Sequence, residues 1–427
     1  MLSPDRPDQP LNEATALRPW AILAALALGR IAFGYQFQTV ATLGPDLVPL
    51  FHLSYAAFGA LIGAYMLLGA FVALPLGVLG RWLGDRTVTW VGLALMVVGP
   101  CVSAWSHDLA GIAAGRTVAS ILAALGVHVQ LDVAGIAAGR IIGGVGGVGA
   151  VVLQGKIIAD WFTGPRLMLA MSIAVCGFPV GVGLAQLILP SVSHAFGWPG
   201  GFLSGVVIPG IALVVFLASF RPSPHVAAAP DRFSLPSLRE CLLVAIAGLM
   251  WSAYTAGYAG YFSYVPSTLA RRGAGLALTG LVVTIAAWGN TPATLFGGGL
   301  AGRFGGFGIL LIGTLGLAFG TAGTALVNEP VLWSVLVGIV GSIHPGVIVT
   351  VGTLSTRQEH RAVGMGIFYS LYFAGGTVGP ALCGRVADLY GSPAGGLLAA
   401  AAISALAIPL YLLHRRVAAH TVLADGV

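Results

Sequence analysis

Apolar stretches of about twenty residues recur along this chain, separated by short loops, and they limit how it can fold more than any other feature. As a helix, such a stretch matches the roughly 30 Å hydrocarbon core of a bilayer. Only 8% of the 427 residues are charged, whereas 57% are hydrophobic, and the mean hydropathy is +0.93. A soluble protein of this length needs far more polar surface. The sequence therefore predicts an all-helical membrane protein that crosses the bilayer many times.

The predicted spans fall into two groups of six. They cover residues 19–42, 55–78, 88–106, 133–154, 167–189, 201–220, 240–264, 277–297, 308–326, 331–352, 363–384 and 394–414. Residues 221–237, with four prolines, are predicted to link an N-terminal bundle (19–220) to a C-terminal bundle (238–414). The polar tails are residues 1–18 and 415–427. Because residues 1–18 lack the basic start and apolar run of a signal peptide, the first span is expected to stay as a helix.

The basic residues predict the orientation. With the N-terminus inside, the inner segments carry fourteen Lys or Arg residues, and the opposite face carries three, or four if Arg116 is counted there. Such an excess is typical of cytoplasmic loops, so both termini are expected in the cytoplasm. Nineteen of the twenty basic residues are Arg, which hints at a bacterial source and hence an inner membrane. Nucleic-acid binding is not expected, because no basic run is interleaved with aromatic residues.

The two halves carry similar turns at matching places. Residues 77–86 read Gly-Val-Leu-Gly-Arg-Trp-Leu-Gly-Asp-Arg, and residues 298–305 read Gly-Gly-Leu-Ala-Gly-Arg-Phe-Gly. Here the chain resembles the major facilitator superfamily, whose signature loop reads Gly-x-Leu-x-Asp-Arg-x-Gly. The resemblance implies two six-helix bundles and a gate at these turns, although Arg81 and Gly302 stand where the family has its Asp. The expected gating residues are Gly77, Gly84, Asp85, Arg86, Gly298, Arg303 and Gly305.

Further segments carry the resemblance. Arg140 and Gly144 in the fourth span match the family's Arg-x-x-x-Gly pattern for that helix, and residues 375–384 resemble its Gly-Pro-rich helix kink. Among subfamilies, residues 30–36 and 361–367 look most like the bacterial cyanate-type porters. The resemblance implies a secondary transporter that works by alternating access.

A repeated nonamer marks an insertion. Residues 108–116, Asp-Leu-Ala-Gly-Ile-Ala-Ala-Gly-Arg, return at 132–140 with Val in place of Leu. A thirteenth span would put the second Gly/Arg turn on the wrong face, so the extra segment 108–131 is predicted at or just inside the extracytoplasmic surface. It is interpreted as a tolerated duplication. Either Arg116 or Arg140 can be the arginine of the fourth span, and Arg140 is favoured because Gly144 follows it.

Buried charges point to the substrate. By helical rise, Arg30 lies about 16 Å and Arg140 about 11 Å into the membrane. Because no Asp or Glu lies at comparable depth in any predicted span, an anionic substrate is the simplest partner for these guanidinium groups. Aromatic residues at helical spacing, Trp251, Tyr254, Tyr258 and Tyr261, form a candidate pocket wall. The predicted substrate-binding residues are Arg30, Tyr35, Gln36, Gln38, Arg140, Tyr254, Tyr258 and His344.

Structural roles for the same residues stay open. Arg140 can instead cap backbone groups or hold a gate with Asp85, and Arg30 can snorkel to the cytoplasmic face. His344 can be a neutral, packed histidine. The aromatic row can serve packing between the bundles instead of lining a pocket.

Most other function classes are disfavoured. The four cysteines lack ligand spacing, so no metal or cofactor is expected, and the chain offers no argument for an enzyme. We predict a monomeric carrier of a small anion, using proton-coupled symport or anion exchange. The alternative is a proton-coupled drug or metabolite efflux antiporter, disfavoured because a mid-membrane carboxylate is missing. A non-transporting sensor or scaffold of the same fold is a further class, which measurement of solute flux would distinguish.

Overall fold

The computed structural model describes residues 13–71, 83–106, 131–162, 164–221, 236–357 and 360–422, and this part of the chain contains helices and no strands. The first half has α1 (Glu13–Thr42), α2 (Gly44–Leu50), α3 (Tyr55–Gly63), α4 (Asp85–Ala104), α5 (Leu131–Trp161), α6 (Gly164–Ser204) and α7 (Val207–Ser219). The second half has α8 (Leu238–Arg271), α9 (Leu276–Phe304), α10 (Gly306–Leu326), α11 (Pro330–Gly338), α12 (Pro345–Leu354), α13 (Arg361–Tyr390), α14 (Pro393–Ala405) and α15 (Ala407–Val422).

Helix lies at each of the twelve predicted spans, which confirms the predicted fold class. Within the described ranges, nine helical stretches are long and apolar enough to cross a membrane, and one of them, Leu169–Ser219, covers two predicted spans. Residues 1–12, most of the linker, residues 423–427 and all but the last residue of the extra segment 108–131 lie outside the described residues. The predictions made for them remain predictions.

Several predicted spans are broken. The span 331–352 consists of α11, a 3-10 turn at Val340–Ser342 and α12, which begins at Pro345. Proline lacks the N–H that a continuous helix needs, so the chain starts a new helix there. The last span is divided into α14 and α15, and α6 extends beyond its predicted end with a kink at Gly197, whose φ is 69°.

Each half is held together by long helix pairs, and the halves meet along two seams. Within the first half α1 packs against α6 and α4 against α5, and within the second half α8 packs against α13. Between the halves, α3 packs against α13 and α6 against α9. Small residues permit this approach: a Cβ on Gly63 of α3 would lie 2.9 Å from the Thr377 carbonyl carbon of α13.

The two ends of the bundle differ. We call the end that carries Thr42 and Tyr390 the outer end, following the predicted topology, and the end that carries Gly84 and Phe304 the inner end. At the outer end the halves touch also through α1 and α8, where Gln38 Nε2 donates to the Phe262 carbonyl at 3.2 Å. At the inner end, a Cβ added at Gly298 or Gly302 of α9 would meet no described atom within 4 Å.

Candidate functional site

Arg30 lies near the middle of α1 with its guanidinium group in an aromatic environment. Its Cζ is 5.9 Å from the ring centres of both Phe33 and Phe178. Its Nε is buried and has no hydrogen-bond partner, and in the described part of the chain no acidic residue pairs with it. A buried guanidinium group without a counter-charge is costly in a membrane protein, which makes Arg30 a candidate partner for an anionic substrate.

The second half supplies an aromatic wall opposite Arg30. Tyr369 and Tyr372 of α13 are the titratable side chains of this half that lie near the Arg30 guanidinium group. Tyr372 lies 5.8 Å from the ring of Trp251 on α8, whose Nε1 donor is buried without a partner. We call Arg30, Phe178, Trp251, Tyr369 and Tyr372 the central site. It joins one cation and one unused N–H donor to flat apolar surfaces.

A hydrogen-bond network supports this wall from behind. Asn290 of α9 donates to the Tyr254 hydroxyl at 3.1 Å and to Ser342 Oγ at 2.9 Å. The Tyr254 and Tyr258 rings are stacked, with centroids 5.5 Å apart, and the Tyr258 hydroxyl lies 3.4 Å from the Ala286 carbonyl oxygen. The predicted aromatic row therefore forms part of the wall and also ties α8 to its neighbours.

Arg140 has a different environment from Arg30. Its guanidinium group donates to four backbone carbonyl oxygens, those of Gln36, Phe37, Leu61 and Ile62. The last two are at the C-terminus of α3, where helix carbonyls lack partners and the helix dipole favours a cation. The side chain also stacks on the Tyr65 ring at 4.6 Å. These contacts match the capping role that the sequence left open, and they use most of its donors.

The other predicted binding residues are held within one half or at the outer end. The Tyr35 hydroxyl bonds Ser204 Oγ at 2.7 Å, and Gln36 Nε2 donates to the Met96 carbonyl at 2.7 Å. Gln38 bonds across the halves near the outer end, away from Arg30. His344 is buried, packs edge-on to Tyr254 and has an unpaired Nδ1 directed at Gly313. The structure does not bring these four residues into the central site.

Six of the seven predicted gating residues are described, and they lie at the inner end. Gly84 and Gly305 immediately precede α4 and α10 with φ of 81° and 80°, and neither would place a Cβ within 4 Å of another described atom. In this conformation the two glycines therefore mediate no close approach between described helices, and they serve backbone geometry. Asp85 pairs with Lys156 Nζ at 2.7 Å, whereas Arg86 and Arg303 are exposed. Gly77 lies outside the described residues.

Sequence reasoning missed Tyr369, Tyr372 and Asn290. Asn290 offered a signal, because an amide is costly inside an apolar span unless it is hydrogen-bonded. The two tyrosines are part of a run, Phe-Tyr-Ser-Leu-Tyr-Phe at 368–373, which resembles ordinary lipid-facing or packing aromatics. Only the pairing of α3 with α13 brings that run opposite α1.

Together, two helical halves, two seams and a polar centre between them define a membrane carrier. The family model of the Major Facilitator Superfamily matches residues 26–380 and 252–425. The chain belongs to this superfamily of transporters, as the turns at 77–86 and 298–305 predicted. No curated protein matches the sequence.

Solved structures of the same fold are similar over nearly the whole chain. A bacterial homologue of the human lysosomal transporter Spinster, in an inward-facing and occupied conformation, is 16% identical, with a TM-score of 0.67 and coverage of 94% of this chain and 97% of that one. The inward-open xylose transporter XylE from E. coli is 17% identical, with a TM-score of 0.66 and coverage of 92% and 95%. The nucleoside transporter NupG is 12% identical, with a TM-score of 0.63 and coverage of 93% and 99%. At these identities the similarity shows the fold.

Proposed function

We propose that the protein carries a small organic monoanion across the membrane by alternating access, with Arg30 holding the negative charge. The observation that carries this proposal is the Arg30 guanidinium group, which lies near Tyr369 and Tyr372 of the second half and has a buried, unpaired Nε and no acidic partner among the described residues. A carboxylate can accept from two guanidinium N–H groups at once, and such charge-assisted bonds are strong where water is scarce. Arg30 is the one cation among the described residues of the central site, which favours a substrate with a single negative charge.

The aromatic surfaces favour a flat or apolar body on that anion. Phe178, Trp251 and Tyr372 offer ring faces and edges, and the Trp251 N–H can donate to a second acceptor on the substrate. Burial of apolar substrate area against such rings stabilises the complex by about 25 cal/mol per Å². The resemblance of residues 30–36 and 361–367 to cyanate-type porters stays a prediction.

The seams support alternating access. Among the described residues, the halves touch at the outer end, and a Cβ at Gly298 or Gly302 would meet no atom within 4 Å at the inner end, as expected for an inward-facing carrier. We place the protein in a bacterial inner membrane as a monomer with both termini cytoplasmic. Because no ATP-binding site is predicted, we expect symport with a proton or anion exchange to drive accumulation.

A binding screen tests this function. The purified protein would be heated with aromatic and aliphatic monocarboxylates, dicarboxylates, cyanate, nitrate, neutral sugars and cationic drugs, and its unfolding temperature recorded. We expect stabilisation by monoanions, strongest for those with a flat apolar body. Stabilisation by cations alone would contradict the proposal and favour the drug-efflux alternative.

A further inference from the structure

One carboxylate of the second half caps a helix of the first half at the outer end. Asp388, near the end of α13, accepts from the backbone N–H of Tyr55 at 2.7 Å and of Ala56 at 3.0 Å. These are the first two residues of α3, and Ser54 Oγ accepts from the third N–H, that of Ala57, at 3.1 Å. The first N–H groups of a helix have no partner within it and favour a negative charge. Two of them are satisfied here only because the halves are in contact.

The side chain of Tyr264 reinforces the same junction. It is fully buried on α8, and its hydroxyl lies 2.9 Å from the Tyr55 carbonyl oxygen and 2.8 Å from that of Pro380. Its ring also lies edge-on to Phe58 of α3, with centroids 6.0 Å apart. Helices α3, α8 and α13 therefore share one hydrogen-bonded junction at the outer end.

Glycines let the backbones of α3 and α13 approach at this junction. A Cβ on Gly59 would lie 2.5 Å from the Pro380 carbonyl carbon, and a Cβ on Gly384 would lie 2.5 Å from the Tyr55 carbonyl carbon. Both distances are too short for real side chains. This close approach positions the Asp388 carboxylate against the start of α3.

Among the described residues, the other seam has no equivalent carboxylate. The halves correspond with an offset of 305 − 84 = 221 residues at the Gly/Arg turns and 365 − 171 = 194 at Met171 and Met365, so Tyr55 corresponds to Leu276 and Asp388 to His194. Leu276 begins α9 with 65% of its surface exposed, and the cap residue Gly275 has no side chain to accept a bond. The cap across the halves thus belongs to one seam of the two.

We propose that Asp388 is the latch of the outer gate, and that its two bonds to α3 must break whenever the outer end opens. The proposal rests on alternating access, and it is independent of which solute Arg30 binds. Removal of the carboxylate weakens only the closed outer end, because the bonds exist only there. The open state should therefore gain population without any change at the central site.

Spin labels at the outer end measure this population directly. Leu50 and Leu326 are exposed leucines on opposite halves and provide label positions after replacement by cysteine, with the four native cysteines changed to alanine. Electron–electron distance measurements would compare the parent with Asp388→Ala and Asp388→Asn. The matched control is Asp46→Ala, because Asp46 is an outer carboxylate whose bond, from Ser193 Oγ at 3.0 Å, stays within the first half.

The expected result is a rise of about tenfold in the ratio of long to short distances for Asp388→Ala, since each factor of ten corresponds to about 1.4 kcal/mol and a bond to a charged group contributes at least this much. Asp388→Asn, which keeps one acceptor oxygen, should lie between, and Asp46→Ala should match the parent. An unchanged distribution in a folded Asp388→Ala protein, or an equal shift in Asp46→Ala, would overturn the latch. A single distance in the parent and in every variant, with and without substrate, would instead contradict alternating access itself and the latch with it.

Discussion

Gly84 and Gly305 adopt the same backbone conformation at equivalent places of the two halves, with φ and ψ of 81° and 142° at Gly84 and 80° and 147° at Gly305. Each residue immediately precedes a helix at the inner end, α4 for Gly84 and α10 for Gly305. The residues are 305 − 84 = 221 positions apart, which is the offset between the two turns in the sequence. The two halves are therefore similar in backbone geometry as well as in residue type at these positions, as expected for halves that share one ancestral fold.

This conformation predicts the cost of a side chain. At φ near 80° only glycine is comfortable, so Gly84→Ala and Gly305→Ala should each destabilise the protein by about 1–3 kcal/mol. Gly302→Ala is the control, because Gly302 lies three residues before Gly305 in the last turn of α9, with no described atom within 4 Å of an added Cβ and no positive φ. Thermal unfolding in detergent is the measurement. Equal unfolding temperatures for all three variants would show that the strain is absent.

Arg140 is expected to stabilise the fold, whereas Arg30 is not. Arg140→Ala removes one donor from each of four carbonyl oxygens, and a buried carbonyl left with no other donor costs about 1–3 kcal/mol. Arg30→Ala leaves no described hydrogen bond unpaired, so it provides the matched control. We expect a markedly lower unfolding temperature for Arg140→Ala alone. A lower temperature for Arg30→Ala alone would reverse these two roles.

The inner turns should close in the outward-open state. A Val side chain at Gly298 meets open space in the present conformation, and it would obstruct the approach of α9 to the first half. Gly298→Val should therefore reduce turnover several-fold and leave substrate affinity unchanged, as measured by flux and by binding. Gly210→Val on α7, also in open space, is the control and should transport normally. Weakened binding with normal turnover would place Gly298 in the substrate site.

The topology is tested by labelling in intact cells. In a background without native cysteines, Gly302→Cys at the inner end should be shielded from a membrane-impermeant maleimide, and Leu326→Cys at the outer end should react. The excess of Lys and Arg at the inner end is the reason for this expectation. The opposite labelling pattern would show that the protein has the reverse orientation in the membrane.

The fold was predictable because the membrane constrains it so strongly. A backbone N–H or C=O group without a hydrogen-bond partner is costly in the bilayer, so the apolar segments of such a protein cross it as helices. The length and spacing of these segments therefore predicted the twelve spans. The positions at which a helix ends within a predicted span were harder to predict. The end of α3 at Gly63 depends on Arg140, which donates to the carbonyl oxygens of Leu61 and Ile62 from another helix. The sequence alone does not reveal that contact.

The candidate site was predictable only in part, because contacts between side chains of different helices are not visible in the sequence. Arg30 could be found because a mid-membrane arginine without an acid is conspicuous in the sequence. Gln36 and Tyr35 look equally polar, but their hydrogen-bond partners, Met96 and Ser204, are on other helices of the same half. Burial, depth and residue type are properties of one span, whereas the partner of a side chain depends on how the spans pack.

The most direct test of anion binding by Arg30 is substrate uptake into proteoliposomes by variants of that residue. Uptake of the monoanion found in the binding screen would be measured for the parent, Arg30→Gln, Arg30→Lys and the control Arg415→Gln, which alters an exposed arginine in the middle of α15. We predict that Arg30→Gln weakens affinity roughly ten- to a hundred-fold, because a charge-assisted bond contributes about 1.5–3 kcal/mol. Arg30→Lys should also be impaired, since an ammonium group cannot bind a carboxylate through two parallel bonds. Affinity and uptake equal to the parent's in a folded Arg30→Gln protein would contradict the proposal that Arg30 holds the negative charge of the substrate.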